Sequence, residues 1–269
     1  MLKDISLYTG KYRNKKSEDS YILKSDDEIN KLRESAGIVR DLLLQLHKII
    51  KPGINELDIA SFCENYILIR DANPYLKTEG FYPHAVMISR NNIAFHGIPE
   101  DNILREGDIL TVDIVLQKNG WFGDGAWTYE VGSCADSTRN LVSFSKRTIE
   151  KCISNLERSR NLISIAEVIE IECKNSPFRV INEGAGHGIG LGLHEEPQIL
   201  FGTDAEPLSL KKGMVFTIEP VFTDSTDVIQ YSEDGSASVP AGFFTVQYEH
   251  MIAVNERGIE ILTSRNPFF

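Results

Sequence analysis

Four acidic residues set in apolar, strand-like runs hold the most chemistry in this sequence. Asp113 and Asp124 flank an Asn119-Gly120 pair within the segment from Ile109 to Val131. An Asn-Gly pair between alternating apolar runs marks a two-residue hairpin turn, because both central residues of a type I′ turn need positive φ. A loop at 119 and 120 makes opposed positions sum to 239, which sets Asp124 opposite Val115 and Asp113 opposite Ala126. Side chains alternate in direction along a strand, so 113 shares a face with 115, and 124 with 126. The two carboxylates become diagonal neighbours with Cβ atoms about 7 to 8 Å apart. On a face otherwise reading Val and Ala, two acids are costly unless something positive sits between them.

Glu219, which precedes Pro220 at the end of an apolar run from Gly213, and Glu249, within the apolar run from Phe244 to Val254, extend the pattern. Any one of these acids alone reads as an edge residue or a satisfied buried acid. Together they would need Lys or Arg partners that the same strands do not supply. His187 lies in the glycine run from Gly184 to Gly192, where missing side chains let backbone approach a bound species. Four carboxylates and one imidazole balance two divalent cations, and such an oxygen-rich set suits Mn, Fe(II), Co or Zn. His96, after Phe95, and His194, after Leu193, are further neutral-pH proton carriers near strand ends. His47 and His84 read as surface residues, and His250 should point away from Glu249 on the opposite face of its strand.

The elements that must position these residues are legible in outline. Ser25 and Glu28 form a capping box, followed by helical spacing from Leu32 to Ile49 and Ile50 and a stop at Lys51-Pro52-Gly53. A second helix is expected over 56–70, then strands over 84–95 and 107–131. The order then partly repeats: a helix from Thr138 to Leu156, a break at Arg158–Arg160, a helix from Ser164 to Lys174 and a strand over 178–181. Residues 223–242 are polar and read as a loop or an exposed hairpin. The repeat, at an offset near 106 with few identities, suggests an α+β domain of two pseudo-symmetric halves with a site between them.

Composition narrows the class. The chain has 269 residues, 42% of them hydrophobic, and its net charge of -11 with pI near 5.1 disfavours a general nucleic-acid binder. No apolar run reaches eighteen residues and the N-terminus has no apolar signal core, so neither a membrane span nor export is expected. Cys63, Cys134, Cys152 and Cys173 form no Cys-x-x-Cys pair, which fits the cytoplasm rather than a disulfide framework. One local exception to the acidic balance is the first sixteen residues, with Lys3, Lys11, Arg13, Lys15 and Lys16 against Asp4. Their plainer reading is a solvated tail, and the alternative is an arm that docks on a polyanion such as the ribosome. The glycine run fits neither a dinucleotide fingerprint nor a P-loop, Pro197 breaks any zincin-type helix at His194, and no serine elbow is present.

His96-Gly97-Ile98-Pro99, Val112-Asp113-Ile114 with Gly123-Asp124, Gly186-His187-Gly188-Ile189-Gly190, His194-Glu195-Glu196-Pro197, Phe216-Thr217-Ile218-Glu219-Pro220 and Gln247-Tyr248-Glu249-His250 occur in one order. In that order, and near that spacing, the chain resembles type I methionine aminopeptidases over roughly residues 22 to 264. The resemblance implies a pita-bread fold, with pseudo-twofold α/β halves around a curved, mainly antiparallel sheet. It implies a flexible basic extension over 1–21 and a single catalytic domain over 22–269. It makes Asp113, Asp124, His187, Glu219 and Glu249 the ligands of two divalent metal ions, and His96 and His194 the substrate-binding histidines. Metal-bridged hydroxide would attack the first peptide carbonyl, with Glu219 as proton shuttle and His194 and His96 stabilising the oxyanion and leaving amine. The implied reaction removes the initiator methionine from nascent polypeptides when the second residue is small, in a cytoplasmic monomer.

The chain departs from the family pattern at Leu193, where an aromatic residue is usual, at Ser236 for Trp, at Met87 for Cys, and at Gly125 for Thr or Ser. These changes bear on the methionine pocket rather than on hydrolysis. The insertion of type II enzymes and an N-terminal zinc finger are absent from the sequence. Two alternatives stand beside this reading. A Pro-specific aminopeptidase or prolidase shares the metal set but usually has a large domain before it, and a non-catalytic pita-bread binding protein has typically lost metal ligands.

Overall fold

The chain enters its first helix through the expected capping box. The Ser25 hydroxyl accepts the Glu28 N–H, and the Glu28 carboxylate accepts the Ser25 N–H at 2.8 Å. The computed structural model describes residues 21–226 and 228–264. Apart from Tyr21, the basic extension expected over 1–21 lies outside the described residues. Among these residues, no helix is long and apolar enough to cross a membrane.

The first half comprises α1 (Asp26–Ile49), α2 (Glu56–Leu68), α3 (Tyr75–Thr78), β1 (Met87–Arg90), β2 (Ile93–Phe95), β3 (Ile109–Lys118) and β4 (Trp121–Glu130). The second comprises α4 (Asp136–Ser159), α5 (Ile163–Lys174), β5 (Arg179–Val180), β6 (Ala185–Gly188), β7 (Glu195–Leu200), β8 (Val215–Ile218) and β9 (Val221–Thr223). It closes with β10 (Gln230–Tyr231), β11 (Ala237–Ser238), β12 (Thr245–Gln247), β13 (His250–Asn255) and β14 (Gly258–Ile261). Every strand pairing is antiparallel, in the orders β1-β3-β4, β10-β11-β2, β12-β9-β5 and β14-β13-β8-β6-β7. The mixed α+β architecture expected from the sequence is borne out.

The hairpin has the predicted register. Asn119 and Gly120 have φ of 52° and 85°, Asp113 pairs with Ala126, and Asp124 pairs with Val115. Helix α1 lies across it, burying Leu32, Ala36, Val39, Leu42, Leu43 and Leu46, of which each Leu and Val is worth about 1.5–3 kcal/mol of transfer free energy. The approach is close enough that a Cβ on Gly123 would sit 2.7 Å from the Ser35 carbonyl. A Cβ on Gly125 would meet Val39 Cγ1 at 2.9 Å. Gly125 therefore serves helix packing, not the substrate pocket that its departure from the family pattern suggested.

Each half has a core of its own, and a third cluster spans both, packing Leu32, Ala36 and Phe122 against Val215, Met251 and Leu262. Helices α1 and α2 pack with β1, β3 and β4, whereas α4 and α5 pack with β8, β9, β12 and β13. The halves join where the Glu249 N–H donates to the Ala126 carbonyl at 2.7 Å, beside a Trp127–Tyr248 bridge. Several boundaries differ from the sequence reading, and α4 runs on to Ser159, into the break expected at Arg158–Arg160. Helix α2 stops at Leu68 rather than 70, and the strand expected from 84 begins at Met87 because residues 81–86, which include Pro83, run as bends. The polar stretch 223–242 contains β10 and β11, and β11 pairs with β2 beside His96.

Candidate metal centre

Sheet pairing brings all five sequence-predicted ligands to one place. Asp113 and Asp124 come from β3 and β4, and His187 from β6. Glu219 occupies the break between β8 and β9 imposed by Pro220, and Glu249 occupies the break between β12 and β13. The His187 Nε2 atom lies 3.7 Å from Asp124 Oδ2 and 3.4 Å from Glu219 Oε1. One ligand atom each from Asp124, His187 and Glu249 fall within 4.8 Å of one another. The His187 Nδ1 atom lies 3.1 Å from the Gly188 carbonyl. A carbonyl only accepts, so Nδ1 holds the proton and Nε2 presents its lone pair to the acids.

The electrostatics fit an absent cation. Asp113 Oδ1 and Glu249 Oε1 are buried with no hydrogen-bond partner, a condition that native proteins rarely tolerate without an ion or a water. Among the described residues, no Lys or Arg is paired with any of the four acids. Burial pushes Asp113 up to about 7 and Glu219 up to about 8. Burial, with like-charge repulsion added to it, raises Asp124 and Glu249 well above the carboxylate range. His187 is pushed down to about 4 by the same desolvation. Without cations the cluster is stable only by holding protons, and divalent ions would displace them.

A cavity of about 280 Å³ opens beside the cluster, lined in part by Phe95, His96, Asp113, His187, His194 and Glu219. His96 follows β2 with φ of 58°, and its carbonyl accepts the Tyr82 hydroxyl at 2.8 Å. Burial lowers its pKa, and a hydrogen bond with the Gly235 backbone opposes that shift. The His194 ring stands edge-on to His187 at 4.4 Å. Burial and the neighbouring imidazoles push it down to about 3. Both histidines are therefore neutral at pH 7; His194 can donate one hydrogen bond into the cavity, whereas the single N–H of His96 is held by the Gly235 backbone.

One residue at the centre escaped the sequence reading. Thr217 is fully buried, and its hydroxyl accepts the His187 N–H at 3.0 Å while donating to Glu219 Oε1 at 2.7 Å. Strand parity was the available signal, since 217 and 219 share a face. The glycine run also serves packing. A Cβ at Gly186 would lie 2.3 Å from the Thr217 carbonyl and one at Gly188 2.3 Å from that of Glu196. These glycines let β6 fit between β7 and β8, while Gly184 and Gly186 also line the cavity. His250 points away from the acids as expected. Its Nδ1 lies 3.0 Å from Thr263 Oγ1, and its ring lies 6.4 Å from Trp127. Of the departures from the family pattern, Leu193 and Met87 are buried in one cluster with Tyr82. Ser236 instead turns back onto Asp234, its N–H and hydroxyl donating at 2.9 and 2.7 Å.

An oxygen-rich cluster of this kind, shared between two α/β halves, defines a metal-dependent hydrolase. Residues 30–256 match the profile of metallopeptidase family M24, and the chain belongs to that family. It is 34% identical to methionine aminopeptidase 1 of Bacillus subtilis (strain 168) over 244 residues, 90% of this chain and 98% of that protein. It is 32% identical to methionine aminopeptidase of Escherichia coli (strain K12) over 248 residues, 90% of this chain and 94% of that protein. Among solved structures, methionine aminopeptidase from Thermotoga maritima superposes with a TM-score of 0.86 at 31% identity, covering 91% of this chain and all of that one. Prolidase from Pyrococcus furiosus shares the fold at a TM-score of 0.68 and 21% identity, covering 91% of this chain and 66% of that one. The resemblance to type I methionine aminopeptidases read from the motifs is borne out, and with it the pita-bread fold.

Proposed function

We propose that this protein is a divalent-metal aminopeptidase that removes the N-terminal methionine from nascent polypeptides, preferentially when the second residue is small. The observation that carries the proposal is the convergence of Asp113, Asp124, His187, Glu219 and Glu249 around two orphaned buried oxygens, beside a cavity that presents His96 and His194. The donor set fits two hard divalent cations, whether Co, Mn, Fe(II) or Zn. Bound there, they would supply Lewis acidity and a water acidified toward neutral pH.

The remaining work falls to side chains. The acids would hold these ions with a ligand position open to the free α-amino group, which would restrict cleavage to the first residue. Glu219, oriented through Oε1 by Thr217, takes the proton of the attacking water and returns it to the leaving amine. His194, neutral because its environment opposes protonation, donates a hydrogen bond to the carbonyl oxygen, and His96, fixed by the Gly235 backbone, lines the cavity beside the leaving nitrogen. The cavity is at the small end of ligand pockets, which suits one side chain and its peptide bond. On this reading residues 22–269 form the catalytic unit, and the site of action is the cytoplasm.

Assays of Met-Ala-Ser and Ala-Pro peptides with added Co²⁺ or Mn²⁺ test the proposal. Release of methionine from the first is the expected result. Cleavage of Ala-Pro alone would replace the reading with a Pro-specific enzyme, and cleavage of neither by folded, metal-loaded protein would favour a binding role.

A further inference from the structure

Lys24 is buried, with 5% of its surface exposed, a state that lysine rarely adopts without a partner. Its ammonium donates to the Glu195 carboxylate and to the Ile22 carbonyl, the latter at 3.0 Å. Glu195 is the residue after His194. Its second oxygen, Oε1, accepts the Gly192 N–H at 2.9 Å, so one carboxylate grips the chain on both sides of that histidine. Lys24 is itself anchored by its backbone N–H, which donates to the Gly213 carbonyl at 2.7 Å.

The loop from Ile189 to His194 is tied to the sheet at its start. The Ile189 N–H donates to the Val215 carbonyl at 3.1 Å, and the Gly190 carbonyl accepts the Phe122 N–H at 3.0 Å. Its tip projects into solvent, with Leu191 61% exposed, while Leu193 beyond it is buried. Around that tip the Gly190 N–H donates to the Gly192 carbonyl at 3.0 Å, and the Glu195 carboxylate adds the hold that reaches outside the loop. The glycines make room for it, because a Cβ at Gly190 would lie 2.6 Å from Lys24 Cε and 2.7 Å from Glu195 Oε1. At Gly192 a Cβ would lie 3.1 Å from Glu195 Cγ.

We infer that Lys24 is a positioning residue, which through Glu195 fixes the loop that holds His194 against His187 at the cavity. The kinetic consequence rests on the proposed aminopeptidase reaction, whereas the structural consequence does not. In the full-length protein loaded with Mn²⁺, Lys24→Met is expected to lower kcat for Met-Ala-Ser about 10- to 100-fold. Bound metal and KM should be nearly unchanged, and Lys24→Arg should recover most of the loss. Amide exchange at Gly192 should quicken at least about tenfold, as for local opening of an unanchored segment. In a His194→Ala background, Lys24→Met should add less than about a twofold loss, because residues acting as one unit are not additive.

Fully multiplicative losses, a loss explained by missing metal, or unchanged Gly192 exchange would each overturn the inference. Should Lys24→Met not fold, Glu195→Gln, which keeps the shape and weakens the grip, provides the same exchange and coupling measurements. If wild-type protein cleaves no methionyl peptide, the functional reading fails, and the Gly192 exchange still decides the positioning role.

Discussion

Stripped of divalent ions, the protein is expected to lose stability as the pH rises from about 6.5 to 8.5, a range in which the unfolded chain's carboxyls are already ionised and its histidines lose their last protons. In the folded, metal-free molecule burial holds Asp113 at about 7 and Glu219 at about 8. A carboxyl with a raised folded pKa keeps a proton that the unfolded chain has released. Its favourable contribution is complete below the unfolded pKa and is lost as pH rises through the folded one. Up to about pH 7.5 the buried histidines oppose this. His187 and His250 sit near 4 and His194 near 3, so the unfolded state binds their protons and the folded state does not. Above that point the histidines are silent and the carboxyls act alone.

Each retained proton is worth about 1.4 kcal/mol per pH unit. Glu219 keeps its proton to about pH 8 and Asp113 to about pH 7. Together they give a loss of about 2 to 3 kcal/mol across the window, of which the three histidines offset about 1 kcal/mol below about pH 7.5, with Asp124 and Glu249 adding to the loss. At roughly 2–4 °C per kcal/mol for a chain of this size, Tm should fall by about 3 to 8 °C. The assay is thermal unfolding of chelator-dialysed protein at pH 6.5, 7.5 and 8.5 at matched ionic strength, repeated with saturating Mn²⁺. Metal keeps the carboxylates ionised and should abolish the slope, and Glu219→Gln should flatten it in the metal-free protein. A metal-free Tm that is flat or rising over this range, or an equal slope with metal bound, would refute the reasoning.

Three further outcomes test the assignment of residues. Asp113→Asn or Glu249→Gln should reduce bound metal and activity together by elemental analysis and peptide assay, and normal metal content with full activity would refute the ligand assignment. Thr217→Val removes the hydroxyl that orients Glu219 and is expected to lower kcat about tenfold, in line with a lost buried hydrogen bond to a charged group of about 1.5 kcal/mol or more, while metal content holds. An unchanged kcat would show that Glu219 needs no such orientation. Deleting residues 1–16 should weaken co-sedimentation with ribosomes if that basic segment is a docking arm, and unchanged binding would leave it a solvated tail.

What was legible in the sequence was what short-range rules determine. The Asn119-Gly120 turn and strand parity placed Asp113 and Asp124 on one face at the observed register, because the turn's φ requirement and the twofold strand period involve no distant partner. Ser25 and Glu28 announced the start of α1 for the same reason. Glu219 and Glu249 were visible as charges out of place in apolar runs. Their meeting followed from charge balance and from the family resemblance and not from any short-range rule, because each sits where a strand breaks and its neighbours arrive from β3, β4 and β6.

The misreadings share one physical cause, which is that close approach between backbones far apart in sequence leaves no periodic signature. Gly186 and Gly188 looked like room for a ligand because glycine permits both a ligand and a strand to come near, and only the β7 and β8 carbonyls at 2.3 Å show that strands do. Gly123 likewise answers to Ser35 on α1, and Gly190 to Lys24. Lys24 is the sharper case. A lysine one residue before a helix cap reads as solvated, yet its partner Glu195 lies 171 positions away and the pair is buried. Acids without partners were therefore detectable as a local anomaly, whereas an acid with a distant partner looked ordinary. Charge pattern alone finds the groups that await a cation. The groups that hold the site in shape become visible only when the two halves are folded together.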